Sequence, residues 1–248
     1  MFCKIFDFRG KYVTSILITL VITLFISAVS VSRVHGEELF ISAASMVDEG
    51  KIVILDAGHG GEDCGAIGVS GVYEKDINLS VTLLVGEELE RRGYLVVYTR
   101  TDDRMLYKPE ENVKGIRKIS DLKNRCEVAS RYPGAAFVSI HMNSFGMEKY
   151  SGLQVYYSEN DPTSRNLAEK VQTTVRDSLQ TSNKRKIKSG KDMYVLENVT
   201  NPAILIECGF LSNASECAKL SEKEYQKQLS FLIVCGIIEY NEEKLTAR

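Results

Sequence analysis

Three stretches end an apolar run on a side chain that can bind a metal or carry a proton. "IVILDAGHGG" reaches His59, "FVSIHMN" reaches His141 and "AILIECG" reaches Glu207. The chain has three histidines in all, and the third, His35, stands in a polar stretch with no such setting. Short apolar runs bounded by turn residues read as buried strands. In open α/β sheets ligands bind beyond the carboxyl ends of the strands, so these runs would bring two imidazoles and a carboxylate to one sheet edge. Two histidines and one carboxylate are a standard open zinc set, with water in the fourth position. Hydrolysis would need one more carboxylate, off the metal, to take a proton from that water. Glu207, Glu74, Asp56, Glu62 and Asp63 are the candidates, and spacing does not choose among them. Nor does spacing separate a metal centre from a pair of structural histidines; on that criterion the two readings weigh evenly.

The elements that must position these groups alternate along the chain. "KIVILDAG" reads as a strand, and "EKDINLSVTLLVGEELERRG" as a helix with Ile77, Val81, Leu84 and Leu89 near one face and Gly93 as its stop. "YLVVYTR" is a strand, 101–115 a surface loop around Pro109, and "IRKISDLKNRCEVASRY" a helix ended by Pro133 and Gly134. "AAFVSIHMN" and "GLQVYYS" are strands, and "PTSRNLAEKVQTTVRDSLQ" is a helix with Pro162 in its first turn. A basic connection, "KRKIKSGKDMY", leads to the strand "PAILIECG" and the closing helix "SEKEYQKQLSFLIVCGIIEY". Alternating strands and helices predict an α/β fold, a mixed and largely parallel twisted sheet flanked by helices on both faces, in one catalytic domain. The runs VIL, FVSI and AILI fit burial on both faces of that sheet.

The 248 residues are 44% hydrophobic and 26% charged, with 31 basic against 33 acidic side chains. That balance argues against a nucleic-acid partner, which needs a basic excess. Lys4, Arg9 and Lys11 precede an uncharged apolar run over 13–31. A run of that length nearly crosses a hydrocarbon core about 30 Å thick, and its basic flank should stay in the cytoplasm, exporting the rest. Ala28 and Ser30 allow a cleaved signal peptide, but "SVSRVHG" is a poor cleavage site and the run is long for a signal, so an uncleaved anchor is favoured. The expected organisation is a signal or membrane-anchor segment at 1–32, a linker at 33–50 and a catalytic domain at 51–242. Cys3 falls on the cytoplasmic side, leaving Cys64, Cys126, Cys208, Cys217 and Cys235, an odd set without a CxxC pair. Cys126 and Cys235 read as small core residues.

The blocks "ILDAGHGGEDCGAIG", "YEKDINL", "SIHMNS" and "PAILIECGFLSN", in that order, resemble the zinc-dependent N-acetylmuramoyl-L-alanine amidases (amidase type 3). The resemblance covers roughly 51–240. "KGIRKISDLKNR" and "LENVTNPAILIECGFLSN" are most similar to the spore-cortex, germination-specific subgroup. It implies His59, Glu74 and His141 as ligands of a Zn2+ cofactor and Glu207 as the catalytic carboxylate. It implies peptidoglycan, both stem peptide and glycan strand, as the partner, and cleavage of the amide between N-acetylmuramic acid and L-alanine, in spore cortex as a step toward muramic lactam. Two departures stand out: Ala57 and Cys64 occupy places where the family usually has proline. Cys64 lies close enough in sequence to compete for the metal, although sites of this type use nitrogen and oxygen ligands. Asn143 is a candidate substrate-binding residue, and the run from Lys184 to Lys191 is read as a solvated loop. The rival readings are a zinc peptidase cutting within the stem, a vegetative autolysin of the same chemistry, and an inactive wall-binding module.

Overall fold

The computed structural model describes residues 51–246. The segments 1–32 and 33–50 lie outside the described residues; among the described residues no helix is long and apolar enough to cross a membrane. The strands are β1 (Ile52–Ala57), β2 (Leu95–Tyr98), β3 (Ala136–Asn143), β4 (Gln154–Tyr157), β5 (Lys188–Ser189) and β6 (Ala203–Phe210). The helices are α1 (Glu74–Glu90), α2 (Arg117–Ser130), α3 (Ser164–Ser178), α4 (Tyr194–Asn198), α5 (Ala214–Ser221) and α6 (Lys223–Thr246). They form one mixed sheet in the order β2-β1-β3-β6-β4-β5. β2, β1, β3 and β6 run parallel, and β4 joins β6 antiparallel, with β5 parallel to β4.

One face of the sheet is apolar. Val53 and Leu55 of β1, Val138 and Ile140 of β3, and Ile204 and Ile206 of β6 are all fully buried. They form one cluster with Val81 and Val85 of α1, Val171 of α3 and Ile233 of α6. On α1 the buried stripe is Ile77, Val81, Val85 and Leu89, an i,i+4 ladder, and Leu84 sits half-buried at its edge. Gly236 lets α6 approach α3 closely, since a Cβ there would lie 2.7 Å from the Val171 Cα.

The opposite face is mixed: Ile54, Phe137 and Leu205 are buried on it beside polar groups. Asp56 and Ser139 are register partners on it and both are buried. Asp56 accepts hydrogen bonds from Ser139 Oγ at 2.6 Å, Thr99 Oγ1 at 2.7 Å and Arg125 Nη1 at 2.6 Å. Arg125, on α2, is equally buried and also pairs with Asp121 one turn earlier at 2.8 Å. Burial alone would raise the Asp56 pKa, but the Arg125 guanidinium and the two hydroxyls overcome it and hold it below its ordinary value. A strand that looked hydrophobic on both sides therefore carries a satisfied ionic network on one of them.

Several boundaries differ from the sequence expectation. Pro162 precedes Thr163, the residue before α3, and so lies ahead of the first helical turn. The basic connection contains β5, and the stretches around α4 and α5 are helical. Cys126 and Cys235 are half-buried, not core, while Cys208 belongs to the core cluster on the apolar face. The described cysteines are all free thiols.

Replacing Arg125 with leucine would strand the Asp56 charge in a buried site. The expected cost is about 3–5 kcal/mol of unfolding free energy, read as a lower midpoint in urea denaturation with an unchanged slope.

Candidate metal centre

The parallel strands β1, β3 and β6 set the site. His141 and Glu207 are direct register partners on neighbouring strands, on the same sheet face as Asp56. Both lie inside their strands, within the runs "AAFVSIHMN" and "PAILIECG" that the sequence marks as strands. β3 and β6 continue past them to Asn143 and Phe210 through a bulge between His141 and Asn143, and a bulge of this kind re-aims neighbouring side chains.

His59 comes from the loop after β1. It has φ +60°, a left-handed conformation that side-chain-bearing residues seldom adopt. Two buried arginines grip the carbonyls around it. Arg125 donates to Ala57 O and His59 O, both at 2.7 Å, while Arg100 donates to Ala57 O and Gly58 O, both at 2.9 Å. Glu74 is the first residue of α1, where the helix dipole favours a negative charge.

These elements bring His59, Glu74 and His141 together, with one ligand atom from each lying within 4.8 Å of the others. Glu74 Oε1 is 3.2 Å from His59 Nε2 and 3.0 Å from His141 Nδ1. The other oxygen, Oε2, accepts the Ala66 amide at 2.8 Å, and Asn78 Nδ2 ties Glu74 to the Gly58 carbonyl. Glycine is required twice. A Cβ on Gly58 would meet His141 Cε1 at 2.2 Å, and one on Gly65 would meet Glu74 Oε2 at 2.5 Å.

Burial opposes charge on these groups, and their mutual contacts prevail. Burial would raise the Glu74 pKa, but hydrogen bonds from His141 and His59 pull it well below the carboxylate range. Burial would lower His59, but Asp63 and Glu74 raise it to about 9. The hydrogen bond with His59 holds Asp63 low, and its Oδ2 lies 2.9 Å from His59 Nδ1, orienting the ring from behind.

The carboxylates that spacing left open now separate. Asp56 is bound by Arg125 beneath the loop, Asp63 faces the outer nitrogen of His59, and Glu62 is exposed and paired with Arg117. Glu207 stands beside the cluster, and its Oε2 is buried without a hydrogen-bond partner. Burial is the main cause that raises its pKa to about 7. Cys64 is not in the cluster and directs its Sγ to the Gly65 carbonyl. Asn143 is outside the cluster too, lining a cavity with Gln154 and Tyr156. Sequence reasoning missed Gln154, the buried register partner of Glu207 on β4, and the two arginines under the loop. An i,i+4 Asp121–Arg125 pair in a helix with few apolar positions was the available signal for one of them.

Two imidazole nitrogens and a carboxylate oxygen, with the buried, unpartnered Oε2 of Glu207 beside them, fit a divalent metal of the zinc type with an open position. Comparison with known proteins identifies the family. A family model described as N-acetylmuramoyl-L-alanine amidase matches residues 53–239. The germination-specific N-acetylmuramoyl-L-alanine amidase of Bacillus subtilis is 38% identical over 197 residues, 79% of this chain and 81% of that one. The CwlD amidase from Clostridioides difficile, solved in complex with the GerS lipoprotein, is 40% identical with a TM-score of 0.74, covering 80% of this chain and all of that one. The catalytic domain of CwlV from Bacillus (Paenibacillus) polymyxa is 35% identical with a TM-score of 0.66, covering 77% and 98%.

The Gly58 contact makes a direct test of the ligand set. Gly58→Ala must push the His141 ring away from Glu74. Divalent-ion affinity, measured by chelator competition, should fall about 10–100-fold while cooperative thermal unfolding is kept. Wild-type affinity in this variant would remove His141 from the site.

Proposed function

The chain belongs to the N-acetylmuramoyl-L-alanine amidase family, matched over 53–239; from that premise we propose that it hydrolyses the muramoyl–L-alanine amide of spore-cortex peptidoglycan with a zinc ion and Glu207. His59, Glu74 and His141 would hold the zinc. Once bound, the ion would supply Lewis-acid polarisation of the amide carbonyl and acidify a water, whose pKa such sites bring to about 7. The observation that carries the reading is the buried, unpartnered oxygen of Glu207 next to that ligand cluster.

The residues divide the work by environment. Glu74 is kept ionised by its two imidazoles, as a permanent ligand must be. Glu207, with a pKa near 7, accepts a proton from the attacking water and returns it to the departing L-alanine amine. Asp63 fixes the His59 ring so that Nε2 faces the cluster. The stem peptide leaves and the glycan strand stays whole.

The cortex role is supported by the relatives named germination-specific amidase and CwlD amidase. Opening the lactyl amide would free the muramic carboxyl for later lactam closure. The catalytic domain would span 51–242, exported behind an anchor segment at 1–32 and a linker at 33–50.

Glu207→Ala should lower turnover on purified peptidoglycan by about 10²–10⁴-fold, with zinc content by metal analysis unchanged. The wild-type digest should expose L-alanine amines and lactyl carboxyls; new ends inside the stem would point to a peptidase instead. In a strain lacking the protein, mass spectrometry of the cortex should find muramic lactam lost; lactam at the normal level would exclude the cortex role.

Zinc affinity should also follow pH with a definite sign. His59 has a pKa of about 9 without metal, so below that pH a proton competes for the ligating nitrogen. Affinity should rise about tenfold per pH unit toward pH 9 and level off above it. A flat profile between pH 6 and 8 would show that His59 does not ligate.

A further inference from the structure

Beside Glu207 the same sheet face carries a cavity of about 270 Å³ lined by Gln154, Tyr156, Arg185, Lys188, Tyr150 and Phe210, among others. The register explains its place. His141, Glu207 and Gln154 are consecutive partners across β3, β6 and β4. One step back along the strands, Leu205, Tyr156 and Lys188 are partners across β6, β4 and β5. The cavity thus starts at Asn143 and Phe210, on the strands of His141 and Glu207, and reaches Lys188 at the β5 edge.

Its chemistry is cationic on an aromatic wall. The Arg185 guanidinium lies 4.5 Å from the centre of the Phe210 ring and 5.7 Å from that of Tyr150. Arg185 Nε donates to Ser151 O at 2.7 Å and Nη1 donates to Gln154 Oε1 at 3.3 Å, so the planar fork is held in place with Nη2 left over. Lys188 is exposed at the other side. Among the described residues, neither cation has a carboxylate within ion-pair distance. Glu216, which feels the field of Arg185, is committed to the amides of Phe210 and Gly152, both at 2.8 Å. Two of the residues first read as a solvated basic run are therefore arranged around one concavity, while Lys184, Lys186 and Lys191 remain exposed.

We propose that this cavity is the subsite for the stem peptide, with Arg185 and Lys188 binding the free carboxylate of the acidic residue that follows L-alanine. The inference rests on the amidase reading of the site. Charge complementarity selects this occupant, because a rigid arginine fork suits a carboxylate and the uncharged glycan offers it nothing comparable. The reach fits as well. Two strand spacings of about 4.8 Å separate the β6 and β5 backbones, roughly three residues of extended peptide. The long side chains of Arg185 and Lys188 shorten that span toward the residue next to L-alanine. Once seated there, the stem would be fixed on the leaving side of the amide. These residues act in binding and specificity, not in the chemical step.

The test uses the zinc-loaded full chain and two synthetic substrates, N-acetylmuramoyl-L-alanyl-D-glutamate with its γ-carboxyl blocked as an amide in both and its α-carboxylate free or amidated. The wild type should cleave the free acid with a KM about tenfold lower. Arg185→Gln and Lys188→Gln should each erase most of that difference by raising the KM of the free acid, with kcat and the amidated substrate little changed; Arg185→Lys should restore part of it. Lys188 is exposed, so its variant keeps the fold. Equal KM values for the two substrates in the wild type, or equal losses on both in the variants, would overturn the subsite. Should the wild type cleave neither compound, the amidase reading itself fails. Calorimetric binding of the same two compounds then decides the subsite independently: a preference for the free acid that vanishes in Arg185→Gln supports it, and no preference rejects it.

Discussion

The organisation of the site follows from one burial: the Glu74 carboxylate, 4% exposed, sits between two imidazoles at the start of a helix. An ionised carboxylate is costly to remove from water unless every lone pair finds a partner. Here both histidines, the amides of Ala66 and Met142, and Asn78 supply those partners. The helix dipole adds to them. Each partner must come from a different part of the chain, so the loop after β1, the start of α1 and the middle of β3 have to meet at one point. Glycine at 58 and 65 is the steric consequence, because any Cβ there would fall inside the cluster.

The division of labour between the two faces of the sheet serves the same end. The apolar face, with α1, α3 and α6, provides the non-directional burial that stabilises the domain. The other face adds Asp56 and Ser139 to its buried Ile54 and Phe137, since its end must anchor a loop that carries His59 at a positive φ. Arg100 and Arg125 do this by bonding three successive carbonyls of that loop, while Asp56 neutralises Arg125 from below. A strained residue persists only where its surroundings over-determine it, and four hydrogen bonds from two immobile guanidiniums meet that condition.

Much of this was legible in the sequence. The alternation of apolar runs with helical periods leads to an α/β sheet because burial on both faces leaves a long apolar signature in strands such as β6. The strand-end rule also gathers His59, His141 and Glu207 on one edge. It fails on Glu74, which is brought in by the start of α1 and not by a strand end, and on Asp56, which spacing ranks beside the others. What decides between those carboxylates is the identity of their partners, and a partner such as Arg125 lies on a helix whose tertiary position no local pattern reveals. The basic run around Arg185 was illegible for a related reason. A two-residue strand such as β5 has no periodicity, so nothing local distinguishes a cation held against a ring from one in solvent.

Glu74 and Glu207 show how far the environment, and not the residue type, sets the chemistry. They come from a helix start and a strand and lie near the same two histidines, yet their proton affinities are driven in opposite directions. Glu74 receives hydrogen bonds on both oxygens, so contacts outweigh burial and the proton is lost. Glu207 is half-buried with its Oε2 buried and unmatched, so desolvation dominates and its pKa rises to about 7. Pairs of carboxylates pushed apart in this way mark distinct acid–base roles. The unmatched oxygen is also a standing cost to the fold: a carboxyl more basic in the native state than in the unfolded chain contributes stability below its unfolded pKa and loses it as pH rises through about 7. A glutamine at 207 would keep the shape and remove that titration, and the proton exchange proposed for Glu207 would offset the cost of an unmatched carboxylate here.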